Sequence, residues 1–219
     1  MSAKKYRKKK KLARKPPFKE LKPVLLIVCE GKKTEPYYFE DIKSKWKITS
    51  MQIEIKGSNV CGTAPKDIVD YAKKEWKKKT RDGMPIEKGD VWCVFDRDAH
   101  ESFDAAIKMA KDNGFGIAVS NPCFELWYLL HFRNQTAHIE RDDVKRSLRE
   151  HIIGYESNMK EVFSEINDKM EKAEKHAHGL RLKHEGDGSP ETQNPSTGVD
   201  ALIKRLRDIR EPEEERGSC

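Results

Sequence analysis

Val24-Leu25-Leu26-Ile27-Val28-Cys29-Glu30-Gly31 is the stretch whose reading decides the fold. Six apolar residues in a row, without polar alternation, suit a strand buried on both faces, as inside a parallel sheet. Glu30-Gly31 ends the run. Thr34-Glu35-Pro36 starts a helix, because proline is tolerated in the first turn. That helix is expected over residues 36–46, with Tyr38, Phe39 and Ile42 inward. A second apolar run, Val91-Trp92-Cys93-Val94-Phe95, stops at Asp96-Arg97-Asp98.

The same reading extends outward in both directions. Residues 51–55 alternate and predict a shorter strand, and residues 57–63 predict a loop. Pro65 opens a helix with Ile68, Val69, Ala72 and Trp76 at helical spacing, ending in Lys77-Lys78-Lys79. A helix over 101–112 and a short strand over 116–120 follow. Asn121-Pro122 then reads as cap and first turn of an apolar helix reaching residue 132. This βαβαβαβα order argues for an α/β fold: an open, mostly parallel sheet with helices on both faces. Past residue 137 the chain changes character. Residues 139–153 and 157–177 predict charged amphipathic helices, 182–198 a Gly/Pro/Ser/Asn-rich flexible loop, and 199–209 a last helix. The division is a basic arm over 1–22, an α/β core over 23–137 and a helical addition over 138–219.

Charge is distributed unevenly. The chain of 219 residues carries a formal net charge of +7. Residues 1–22 hold eleven basic residues and one acid, leaving 33 basic against 36 acidic residues in the rest. The arm, with Lys4, Lys5, Arg7, Lys8, Lys9, Lys10 and Lys11, is either a solubilising tail or a nucleic-acid contact. The five cysteines form no C-x-x-C pair, which argues against a zinc ribbon. Cys29, Cys93 and Cys123 sit in apolar stretches and read as small buried hydrophobes, so a reducing, cytoplasmic setting is expected. No stretch reaches the roughly 18 to 20 apolar residues that span a membrane, and the N-terminus lacks the apolar region of a signal peptide.

The acids carry the functional signal. Glu30 directly follows one buried strand, and Asp96 and Asp98 follow another. Sites in open parallel sheets form beyond the carboxyl ends of the strands. If the two strands are neighbours, three carboxylates converge, and such a group needs a positive partner because like charges raise one another's pKa. A hard divalent ion with oxygen ligands, Mg²⁺ or Mn²⁺, is the usual solution. Residues i and i+2 of an extended segment point the same way, so Asp96 and Asp98 can share one ion while Arg97 points elsewhere. Glu35 would add a carboxylate or cap the next helix. Glu125, in a first helical turn, is either a further acid of this crevice or a residue favoured there by the helix dipole alone. His131, among Leu129, Leu130 and Phe132, reads as a core residue, and His176 and His178 as surface.

Glu30-Gly31 after one buried strand and Asp96-Arg97-Asp98 after another resemble the Toprim domain of topoisomerases, primases and overcoming-lysogenization-defect nucleases. Three strings narrow the resemblance: residues 28–39, VCEGKKTEPYYF; residues 120–132, SNPCFELWYLLHF; and residues 194–199, NPSTGV. Together they are similar to the RloB family of bacterial phage-defence proteins, across about residues 22–210. The resemblance implies a Toprim-like core with a helical addition and metal-dependent cleavage of nucleic acid, DNA or RNA. By position, Glu30 takes the acid/base or metal role, Asp96 and Asp98 the metal-binding role, and Glu35 the family's second acid. It also implies an ATPase partner in a defence operon. The chain is too short for the tyrosine domain of a topoisomerase and lacks a primase's zinc modules. The other reading is a non-catalytic metal- or nucleotide-binding regulator. Asn194 to Gly198 read as loop and cap, with Ser196 or Thr197 either capping the last helix or donating to a phosphate.

Overall fold

Strands whose side chains are buried on both faces need helices on both sides, and the chain supplies them to both. The computed structural model describes residues 24–49, 52–185 and 193–210. In order, these form β1 (Leu25–Cys29), α1 (Thr34–Lys45), β2 (Ile53–Lys56), α2 (Ser58–Cys61), α3 (Pro65–Arg81), β3 (Val91–Asp96), α4 (Phe103–Asn113) and β4 (Gly116–Asn121). Then come α5 (Glu125–Leu130), α6 (Arg141–His151), α7 (Val162–Ile166), α8 (Met170–His184), β5 (Ser196–Thr197) and α9 (Val199–Ile209). The basic arm lies outside the described residues.

The sheet order is β2-β1-β3-β4-β5. β1 pairs in parallel with both β2 and β3, β3 pairs in parallel with β4, and only β5 runs antiparallel. Alternation divides each strand between two cores. Leu25, Ile27, Val94 and Ala118 face one core, completed by α1 and α5 through α9. Leu26, Val28, Cys93 and Phe95 face the other, completed by α3 and α4. The residues of the helical addition therefore share a continuous core with the sheet. Polar contacts tie the two parts together and brace each of them. Asp41 of α1 accepts the Ser164 N–H at 2.9 Å, and Arg207 of α9 donates to Glu174 of α8 at 2.9 Å. The Trp127 indole N–H donates to the Tyr38 hydroxyl at 2.6 Å, deep between α5 and α1.

Four local expectations are revised. The loop expected over 57–63 holds a short helix, α2, whose Gly62 N–H closes on Ser58 O at 3.2 Å. Asn121 is not a helix cap: it ends β4, paired with Ser196, and that ladder keeps its backbone extended. The helix expected to follow starts at Glu125 instead, after a cis Asn121–Pro122 peptide bond. The continuous helix expected over 157–177 is broken, because Glu161 adopts a left-handed conformation (φ 63°) and turns the chain into α7. The loop expected over 182–198 yields its first residues to α8 and its last to β5, and residues 186–192 lie outside the described residues. Among the described residues, no helix is long and apolar enough to cross a membrane. Cys29, Cys61, Cys93 and Cys123 are all buried and free.

Candidate functional site

Adjacency of β1 and β3 brings Glu30 and Asp96 together. Glu30 continues the ladder by donating its N–H to Val94 O at 2.9 Å. Its carboxylate then folds across and accepts the Asp96 N–H at 3.0 Å. Burial raises the Glu30 pKa, the Asp96 N–H opposes the rise, and the charge of Asp98 adds to it. Asp96 ends β3 on the face covered by α1 and α5. Its Oδ2 lies 3.4 Å from Nη2 of Arg141, and its Oδ1 is buried without a hydrogen-bond partner. Burial, then the charge of Glu35, push its pKa well above the usual carboxylate range, with Arg141 pulling the other way.

Glu35, only 6% exposed, joins them from the first turn of α1. Its carboxylate lies back over Gly31, where the nearby backbone of Glu35 and Gly31 favours the charged form. A Cβ on residue 31 would stand 1.8 Å from Glu35 Oε2, so any larger residue there displaces that carboxyl. Burial raises the Glu35 pKa to about 7, with the charges of Glu125 and Glu30 adding to the effect. Glu125 opens α5, buried, with Lys145 Nζ 3.9 Å from its Oε1. The phenol of Tyr155, 1% exposed, faces the Glu125 charge without a well-formed hydrogen bond.

Asp98 stands apart. Beyond Asp96 the chain leaves the strand, so the i, i+2 parity no longer applies. The Asp98 Oδ1 accepts the His100 N–H at 3.0 Å, though its charge reaches Glu30 and Arg141. Arg97 does point elsewhere, lying 4.3 Å over the Phe103 ring. Among the described residues, no three His, Cys, Asp or Glu side chains stand close enough to hold a metal ion as they are. What fits a hard cation is the chemistry: oxygen donors only, mutual repulsion, and a buried carboxylate oxygen on Asp96 without a partner.

A family model described as RloB-like protein matches residues 25–206. The chain belongs to the RloB-like family. No curated protein and no solved structure shows a significant match. The matched span runs from β1 into α9, so the family covers every residue placed at this sheet end.

Arg141, Lys145 and Tyr155 escaped the sequence reading. One signal was available: a cation in a helix's first turn opposes the helix dipole and needs a reason to be there. His131 is a core residue, 0% exposed. Its Nδ1 bonds Trp127 O at 2.9 Å, and burial holds its pKa down at about 4. Several basic side chains of α8 have structural partners. Lys172 donates to Phe132 O and Lys183 to Thr136 O, both at 2.6 Å, and His176 contacts Leu130 O at 2.8 Å. Thr197 Oγ1 accepts the Val199 N–H at 3.3 Å from within β5, while the N-cap of α9 itself is Gly198.

Proposed function

We propose that this chain is the metal-dependent phosphodiester-cleaving component, a nuclease, of a bacterial phage-defence system, with a Toprim-type site at the carboxyl end of its sheet. The observation that carries this reading is the Asp96 carboxylate. It is largely enclosed, raised in pKa, with one buried oxygen lacking a partner, and ringed by the charges of Glu35, Glu125 and Glu30. A protein that keeps such a group at a cost to stability gains from it when a cation binds.

Asp96, Glu30 and Glu35 would hold Mg²⁺ or Mn²⁺, with Asp98 and Glu125 as further oxygen donors. The bound ion would supply Lewis acidity and a water acidified toward neutral pH. The protein's own groups do the rest. Glu30 holds the Asp96 backbone through its N–H, which fixes where β3 presents its carboxylate. Glu35, with a pKa of about 7, can hold or release a proton at neutral pH, as a general acid or base must. The basic arm recruits the polyanion that the acids alone would repel, so binding weakens steeply with salt. The test is cleavage of plasmid, single-stranded DNA and RNA with Mg²⁺ or Mn²⁺, comparing wild type with Asp96→Ala. Equal activity in both sinks the assignment.

A second reading has its own support. No three-ligand group is preformed among the described residues, and Arg141 already stands beside Asp96. Both fit a regulatory subunit whose site is completed only within a complex with an ATPase partner. A chain that binds Mn²⁺ through Asp96 yet cleaves nothing alone favours that reading.

A further inference from the structure

Arg141 is the first residue of α6, followed at once by Asp142 and Asp143. A guanidinium there is opposed by the helix dipole, so its position reflects other contacts. Two are seen, and both use the same nitrogen. Nη2 donates to Pro122 O at 3.1 Å and lies 3.4 Å from Asp96 Oδ2. The side chain is 45% exposed and that of Asp96 is 15% exposed. The acid is therefore the inner partner and the guanidinium the outer one, at the mouth of the acidic crevice.

The approach to Arg141 is built with care. Two residues earlier, Ile139 is held at both backbone groups by one side chain from far along the chain. Asn194 Oδ1 accepts the Ile139 N–H at 3.0 Å, and Asn194 Nδ2 donates to Ile139 O at 2.9 Å. The segment that follows also supplies Lys145 beside Glu125, and Tyr155 with its hydroxyl against Glu125 and without a well-formed bond. A phenol 1% exposed and unsatisfied at the edge of an acidic cluster is a second sign that this crevice is made for a ligand.

We propose that Arg141 is the residue that grips the substrate's phosphodiester at this site, reaching it with the guanidinium N–H groups not engaged by Pro122 and Asp96. The inference rests on the phosphodiester reading above. Its chemistry is the match between a planar fork of N–H donors and two phosphate oxygens, which lysine reproduces only as a point charge. Carboxylates alone repel a phosphodiester, and a cation at their rim reverses that locally.

The test uses the full-length chain and two small probes, the dinucleotides d(pTpT) and r(pUpU). They are titrated in EDTA and in Ca²⁺ at a salt concentration that suppresses the basic arm. Arg141→Gln is expected to weaken both by about tenfold or more, and Arg141→Lys by a few-fold. Mn²⁺ affinity and melting temperature should stay close to wild type in the lysine variant. A tighter grip on one sugar class, lost with the arginine, supports the proposal and names the substrate as DNA or RNA. Dinucleotide affinity unchanged within twofold in Arg141→Gln overturns it. So does a loss of dinucleotide binding that comes only with a loss of Mn²⁺ binding and melting temperature in both variants, since Arg141 is then a counter-ion that shapes Asp96. So does a wild type that binds neither dinucleotide. The metal reading is judged separately: Mn²⁺ uptake unaffected by Asp96→Asn removes it, while the EDTA titrations still decide the role of Arg141.

Discussion

Glu35→Gln removes one charge from the acidic crevice and keeps size, shape and one oxygen acceptor beside the Gly31 backbone. The native carboxyl titrates at about 7 against 4.5 for the free group. That difference corresponds to about 3 kcal/mol between protonation states. The group is 6% exposed, so solvent screening takes little from it. The sign follows from which state binds the proton more tightly. Between pH 4.5 and 7 the native state keeps the proton and the unfolded chain has released it. Wild type therefore loses this stability as pH rises through that window, and the glutamine variant does not. Urea denaturation at pH 8 should find Glu35→Gln more stable by about 3 kcal/mol. At pH 4.5 most of that gain should vanish. A variant less stable at pH 8, or a gain that does not change with pH, would refute the assignment of Glu35 to a repulsive, buried cluster.

Asp96→Asn should raise the melting temperature in EDTA and abolish the upward shift that Mn²⁺ gives wild type, measured by differential scanning fluorimetry. It should also lower metal-dependent cleavage by about 100-fold or more. Gly31→Ala should cost little stability, because the clash falls on the flexible end of Glu35, but it should displace that carboxyl. In a Gly31→Ala background the pH 8 gain from Glu35→Gln should shrink by at least half, as a double-mutant cycle would read. His131 contributes a pH dependence of the opposite sign to Glu35. Its native pKa of about 4 lies below the free value of 6.5, so its contribution is full above pH 6.5 and is lost as pH falls toward 4, by about 3 kcal/mol. His131→Phe should flatten that part of the stability profile in urea titrations, and an unchanged slope would assign it to other groups.

The two strands that matter most were legible because they are buried on both faces. Leu25 to Cys29 and Val91 to Phe95 admit no polar side chain, so their runs are unbroken. The meeting of Glu30 with Asp96 followed once those strands were taken as neighbours. Strand parity says nothing of Asp98, which lies past the end of β3 and takes its place from the turn that accepts the His100 N–H. β5 was invisible, since two residues carry no periodicity, and it exists through pairing with β4. The break at Glu161 is likewise tertiary: Val162, Phe163 and Ile166 turn inward against α1, and a charged amphipathic pattern does not record that. Arg141 lies 45 residues from Asp96 in sequence, and only the packing of α6 on α5 joins them.

The hold of Asn194 on Ile139 makes the end of the chain a prerequisite for its middle. Synthesis completes every carboxylate of the crevice by residue 125, but the residue that registers the linker to α6 arrives almost 70 positions later. A product cut short before residue 194 would carry the whole acidic set and the contacts of Arg141 with Pro122 and Asp96, but not the clasp on the chain leading into α6. The basic edge is thus trimmed by a residue made long after the acids it serves.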